Sequence, residues 1–299
     1  MKRAITALSI FGLVATLTNC GPGREASWEK QSAAKQTEAA APTAEADLEA
    51  VANEAWAARS DRAKLEQAIS AWETMLKADP NNADLLTRLS RGYYFLADGH
   101  IRADGDEEAM LTTFEKGISA GERAMVASSE EFAKRVKAEE KVEEAVGSIS
   151  KEGQPALYWY ASNLGKFAVA KGFTTTLFYK DRIYAVMQHV LSLDETYFHA
   201  APHRYFGAFY AKAPSFAGGD MTKSKEHFEK ALALDSNYLG TKVLYAEYYA
   251  AKNEDRELFT KLLGEVSAAD ASVIPDLVPE QTMEQAKAKK LMAEVDDIF

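Results

Sequence analysis

One spacing limits what this chain can fold into more than any other property. A pattern of small and large residues runs Ala68, Trp72, Met75, Pro80, then Leu86, Leu89, Ser90, Tyr93. It returns as Ala185, His189, Ser192, Tyr197, then His203, Phe206, Gly207, Tyr210. A third copy reads Ser224, Phe228, Ala231, Ser236, then Lys242, Tyr245, Ala246, Tyr249. No copy needs a gap, and Leu76, Leu193 and Leu232 fill one further common slot. The small residues Ser90, Gly207 and Ala246 let two helices approach closely, and the tyrosine one turn on fills the groove between them. Asp79-Pro80-Asn81-Asn82 supplies turn chemistry between the halves of the first copy. Helix joints are expected there, at 194–198 and at 235–238. A weaker fourth match lies at Ala161, Leu164, Gly165 and Ala168, followed by a displaced helix near 172–179.

This spacing resembles that of tetratricopeptide repeats and predicts an all-α fold, a helix-pair array of α-solenoid type, over residues 48–299. Pro214-Ser215-Phe216-Ala217-Gly218-Gly219-Asp220 is an insertion between the second and third copies, ahead of a helix starting near Thr222. Between the first two copies, helical periodicity covers 110–126, and a charge-rich helix is expected over 130–149 with the stripe Phe132, Val136, Val142, Val146. A last amphipathic helix is expected over 280–299.

Lys2 and Arg3 precede a mostly apolar run that ends at Leu17-Thr18-Asn19-Cys20. A helical membrane span needs about 20 apolar residues, so this shorter run reads as a signal peptide over 1–19. Cys20, the only cysteine, stands where a lipoprotein signal places its lipid-modified thiol. Asn19 departs from the small residue usual before that thiol, which bears only on the anchor. Gly21 after Cys20 favours outer-membrane sorting. Residues 20–47, rich in Ala, Glu, Thr, Lys and Gln, are expected to form a lipidated, flexible tether.

The net charge is −10 with no basic stripe, which argues against nucleic acid and leaves the lipid as the expected link to the membrane. Catalytic constellations are not found. Of the five histidines, His199 and His203 are four apart, but Pro202 suits a first helical turn and places His199 outside it. No HExxH motif, GxSxG motif or phosphate-binding glycine loop occurs, so neither a metal, a cofactor nor an enzyme activity is expected. Gly218-Gly219-Asp220 suits a tight turn and helix cap. Aromatic residues concentrate from Tyr158, Trp159 and Tyr160 to Tyr205, Phe206, Phe209, Tyr210 and Phe216. They suit a packed core or an apolar groove for a ligand.

The ordered segments 155–159 (Pro-Ala-Leu-Tyr-Trp), 191–194 (Leu-Ser-Leu-Asp), 203–220, 227–232 (His-Phe-Glu-Lys-Ala-Leu), 242–246, Asp255-Arg256 and 288–299 carry a family resemblance. Together they are similar to the T component of TRAP transporters (tripartite ATP-independent periplasmic transporters), a tetratricopeptide-containing group. The resemblance implies a periplasm-facing lipoprotein that associates with a periplasmic solute-binding protein. On that basis Tyr158, Trp159, Tyr205, Tyr210, Phe216, Gly218, Gly219 and Asp220 are the candidate partner or ligand contacts. A general scaffold for envelope complexes is the alternative, and self-association into a homo-oligomer is left open.

Overall fold

In a computed structural model, residues 23–29 and 42–299 are described; the segment expected to be a signal peptide and the expected lipidation site Cys20 lie outside them. The described chain is helical, without strands, in agreement with the expected all-α array. It begins with α1 (Pro42–Ala57), α2 (Arg62–Ala78) and α3 (Ala83–Phe95). Asp61 caps α2, and Asn82 caps α3 by accepting a 3.0 Å bond from the Leu85 amide, so the Asp79–Asn82 turn forms where its residues demand. Helix α3 runs on through a π-helical stretch, Leu96–Ile101, into α4 (Arg102–Asp104). Next come α5 (Glu107–Ser128), α6 (Glu130–Lys137) and α7 (Val142–Ala145).

The helix expected over 130–149 is broken. Glu139 takes a positive φ of 62°, and Arg135 turns back to bond Glu140 at 2.7 Å. Its apolar stripe is nonetheless buried, because α6, α7 and the 3₁₀ turn after them each press it against the core. Then follow α8 (Gln154–Lys171), α9 (Phe173–Leu193), α10 (Tyr197–Lys212), α11 (Met221–Leu234) and α12 (Leu239–Leu244), the last continuing as a second π-helical stretch, Tyr245–Ala250. The chain closes with α13 (Arg256–Ala268), α14 (Val278–Ala293) and α15 (Val295–Ile298); the helix expected from 280 to the end thus starts earlier and breaks at Glu294.

Helices α3, α5, α8 and α9 pack in succession, α10 packs on α11, and α14 folds back against α12 and α13. One core runs from α1 into α10, and a second lies beneath α11 to α14. The first and third copies of the repeated frame sit mostly in these cores. In the second copy α10 does the same, whereas α9 buries Tyr179, Ile183, Val186, Met187 and Val190 and leaves Ala185 and His189 half-buried. Helix α9 is therefore rotated from its expected face.

The tether expectation fails in part. Residues 23–29 lie against α5, α6 and α9: Ala26 is buried, and Trp28 meets Phe132 edge-on at 6.0 Å. Residues 42–47 already belong to α1, so the helical domain begins before residue 48.

Candidate functional site

A cavity of about 470 Å³ opens between α3, α8, α9, α10, the second π stretch and α14. That volume falls within the roughly 300–1,000 Å³ usual for small-molecule sites. Tyr94, Tyr158, Trp159, Phe198, Tyr205, Phe209, Tyr238 and Tyr248 give it aromatic walls. Trp159 packs edge-on to Tyr158 at 4.8 Å and to Phe198 at 5.1 Å. Both π stretches reach it, one carrying Asp98 and the other Tyr248. Such wide turns often occur at functional sites.

Phe198 owes its place to an unusual backbone. Phe198, His199 and Ala200 have φ values of 42°, 59° and 56°, a left-handed turn before Pro202. Side chains with a Cβ make that turn unfavourable by about 1–2 kcal/mol per residue. It is held by Arg204, which donates to the His199 carbonyl at 2.7 Å and lies over the Tyr238 ring at 4.3 Å, and by His199, whose Nδ1 sits 2.6 Å from Asp235. Pro202 was thus a true signal that His199 lies outside the regular helix.

Charged side chains from several helices also line the cavity, and two of them are buried carboxylates, Asp98 and Glu280. Asp98 is buried with Lys166 Nζ at 3.1 Å, Lys287 Nζ at 3.3 Å and Arg102 Nε at 2.9 Å. Burial opposes its ionisation, but the three cations win and hold the carboxyl well below its ordinary range. The same interaction raises Lys166 and Lys287. Glu280 accepts from Arg59 at 2.6 Å and Arg91 at 3.0 Å, while Arg91 also lies over Trp159 and Phe198. Arg91 lines the cavity, and its buried Nε has no protein partner. Desolvation raises the Tyr94, Tyr205 and Tyr238 phenols, so all three stay neutral hydrogen-bonding groups at neutral pH.

Of the residues singled out from sequence, Tyr158, Trp159 and Tyr205 line this cavity. Tyr210 does not: its ring stacks on His227 at 5.6 Å and its hydroxyl lies 3.3 Å from that of Tyr184, burial pushing it up to about 12. Phe216 stands 81% exposed, between Pro214 and Ala217, which line the cavity. Gly218, Gly219 and Asp220 build that loop. Gly218 has φ 98°, and a Cβ on Gly219 would lie 1.9 Å from the Ala213 carbonyl oxygen. Asp220 caps α11 by accepting from the Thr222 and Lys223 amides at 3.0 and 3.1 Å.

Sequence reading missed Asp98, Lys166, Arg91, Glu280 and Lys287. Asp98 and Lys287 are 189 residues apart, and only the spacing of Asp98 to Arg102 is visible locally. Among the described residues no cluster of His, Cys, Asp or Glu is arranged to hold a metal.

The sequence profile of the TRAP transporter T-component matches residues 62–299, taking in every wall of the cavity and both flanks of the 214–220 loop. A search of curated proteins finds no match. Since the profile covers most of the chain, the chain belongs to the TRAP transporter T-component family.

Proposed function

We propose that this T component is a periplasm-facing lipoprotein, anchored through Cys20 in the outer membrane, that docks a periplasmic solute-binding protein and accepts apolar ligands in its cavity. The observation that carries this is the aromatic-walled cavity with the exposed Phe216 on the loop whose Pro214 and Ala217 line it. A largely apolar, aromatic interior with charged groups among its walls suits a ligand with a greasy body and a polar end. An exposed aromatic ring on a turn with fixed geometry suits a protein contact, because its few rotamers cost little entropy to order. Tyr158 and Trp159 then act on the ligand and Phe216 on the protein partner, while Gly218, Gly219 and Asp220 shape the loop that presents it.

The test is calorimetric titration of the protein with a periplasmic solute-binding protein of a TRAP transporter from the same source. Micromolar or tighter binding is expected, weakened by more than about 1 kcal/mol in Phe216→Ala with an unchanged melting temperature. No binding by a folded domain would overturn the docking reading and leave a general envelope scaffold as the better account.

A further inference from the structure

Most of the large apolar side chains exposed on this protein would be unremarkable singly, but Val169, Phe173, Leu177 and Phe178 all lie at the turn between α8 and α9. Their exposure runs from 43% at Leu177 to 61% at Phe173. Val169, Phe173 and Leu177 form one lip of the cavity mouth, and Phe178 continues the patch round the helix. The N-terminal segment crosses this same corner. A Cβ on Gly23 would lie 3.0 Å from the Phe178 ring, and the Arg24 amide donates to the Tyr179 hydroxyl at 2.7 Å.

That crossing is fastened by a buried charge. Glu122 on α5 is 1% exposed, and its carboxylate is met by the Arg24 guanidinium and by the Ser27 amide and hydroxyl, each at 2.8 Å. Ser27 Oγ also lies 2.9 Å from Ser119 Oγ. These charge-assisted hydrogen bonds fix the place of the segment on α5. Only Gly21 and Pro22 separate Cys20 from Gly23. Three peptide steps of 3.80 Å span at most about 11 Å, so any lipid on Cys20 is attached within about 11 Å of Gly23 and about 15 Å of the Phe178 ring.

We infer that the α8–α9 turn is a membrane-apposition surface: the bilayer that receives the Cys20 lipid also receives Val169, Phe173, Leu177 and Phe178. This rests on Cys20 being lipidated, as proposed above. The domain then lies directly on the lipid headgroups with the adjacent lip of its cavity facing them. Interfacial apolar side chains of this kind enter about 5–10 Å, to the headgroup–acyl boundary. The contact is apolar and not electrostatic. Lys171 is exposed at the turn, but Glu107, Glu108 and Glu115 share a shallow pocket with it, so no basic field faces the lipid. Zwitterionic lipid should therefore suffice, at high salt as well as low.

The lipidated protein, placed in phosphatidylcholine vesicles containing a spin-labelled phosphatidylcholine quencher, tests this. A thiol-reactive fluorophore is attached to Thr174→Cys at the turn or to Lys261→Cys on α13, which packs only against C-terminal elements. The label at position 174 should lose most of its emission and that at 261 should keep it. Phe173→Ser with Phe178→Ser should restore emission at 174 while the protein still sediments with vesicles. Equal emission at both positions on anchored protein would overturn the inference and leave the lipid anchor standing. If the parent protein, without an added cysteine, takes the fluorophore, Cys20 is a free thiol and the anchor reading itself fails. Cross-linking between two copies through position 174 would identify the occupant as a second copy of this chain and would also overturn the inference.

Discussion

Gly207 shows how much one missing methyl group decides. It occupies the close-contact slot of the second repeated frame, and a Cβ there would lie 2.7 Å from the Phe228 ring on α11. Phe228 is fully buried and stacked on Tyr245 at 4.8 Å, so it has nowhere to retreat. Gly207→Leu should therefore overpack the α10–α11 contact and destabilise the fold by about 1–3 kcal/mol, read as a lowered midpoint in a circular-dichroism melt. That slot was legible because small residues at a helix crossing leave a local signature. The role of Asp220 was only half legible. A carboxylate after two glycines suits a cap as well as a contact, and the distances to the Thr222 and Lys223 amides show that it caps α11. Asp220→Ala should accordingly cost about 1 kcal/mol of stability, read in the same melt.

Between elements, the α10–α11 pair carries the clearest pH response. His203 Nδ1 lies 2.9 Å from His227 Nδ1, while His203 Nε2 lies 3.0 Å from Glu195. Burial, then the coulombic influence of His203 and Lys223, pulls His227 from its ordinary 6.5 down to about 4. A base whose folded value is depressed takes up its proton first in the unfolded chain. The stability it supports is thus complete above about pH 6.5 and is lost as pH falls toward 4. The full shift would amount to about 3 kcal/mol; because His227 is only half-buried, about 1–2 kcal/mol is expected after screening. Urea titrations between pH 7 and pH 4 should show this slope, and His227→Phe, against the Phe206 and Tyr210 rings, should flatten it. Sequence periodicity located these helices and the turns joining them. It missed the break after α6, where Glu139 turns left-handed, and both π stretches, because such deviations are settled by packing partners distant in the chain. It also gave α9 the wrong face: where apolar residues occupy nearly all sides of a helix, periodicity cannot say which side meets the core.

At the scale of the whole molecule, the array was legible and its two most consequential assemblies were not. The docking of residues 23–29 depends on Glu122, about ninety residues further on, and the composition of that segment reads as a tether by every local measure. The cavity gathers α3, α8, α9, α10 and α14, and the sequence could offer only a list of aromatic residues without saying which would face inward together. Gly165 gives a way to test that space alone. It lines the cavity on α8, and a Cβ built there meets nothing within 4 Å. A larger side chain at this position enters empty volume instead of a packed neighbour, the reverse of Gly207. Removing a mid-helix glycine also favours the helix by about 1 kcal/mol. Gly165→Leu should therefore keep or raise the melting temperature while occupying part of the cavity. If apolar ligands bind there, a fluorescent fatty acid taken up by the parent protein should bind Gly165→Leu at least about tenfold more weakly, a loss of 1.4 kcal/mol. Gly165→Ala, adding one methyl group, should fall between the two. Unchanged uptake by a stably folded Gly165→Leu protein would place the ligand elsewhere and remove the cavity from the proposed function.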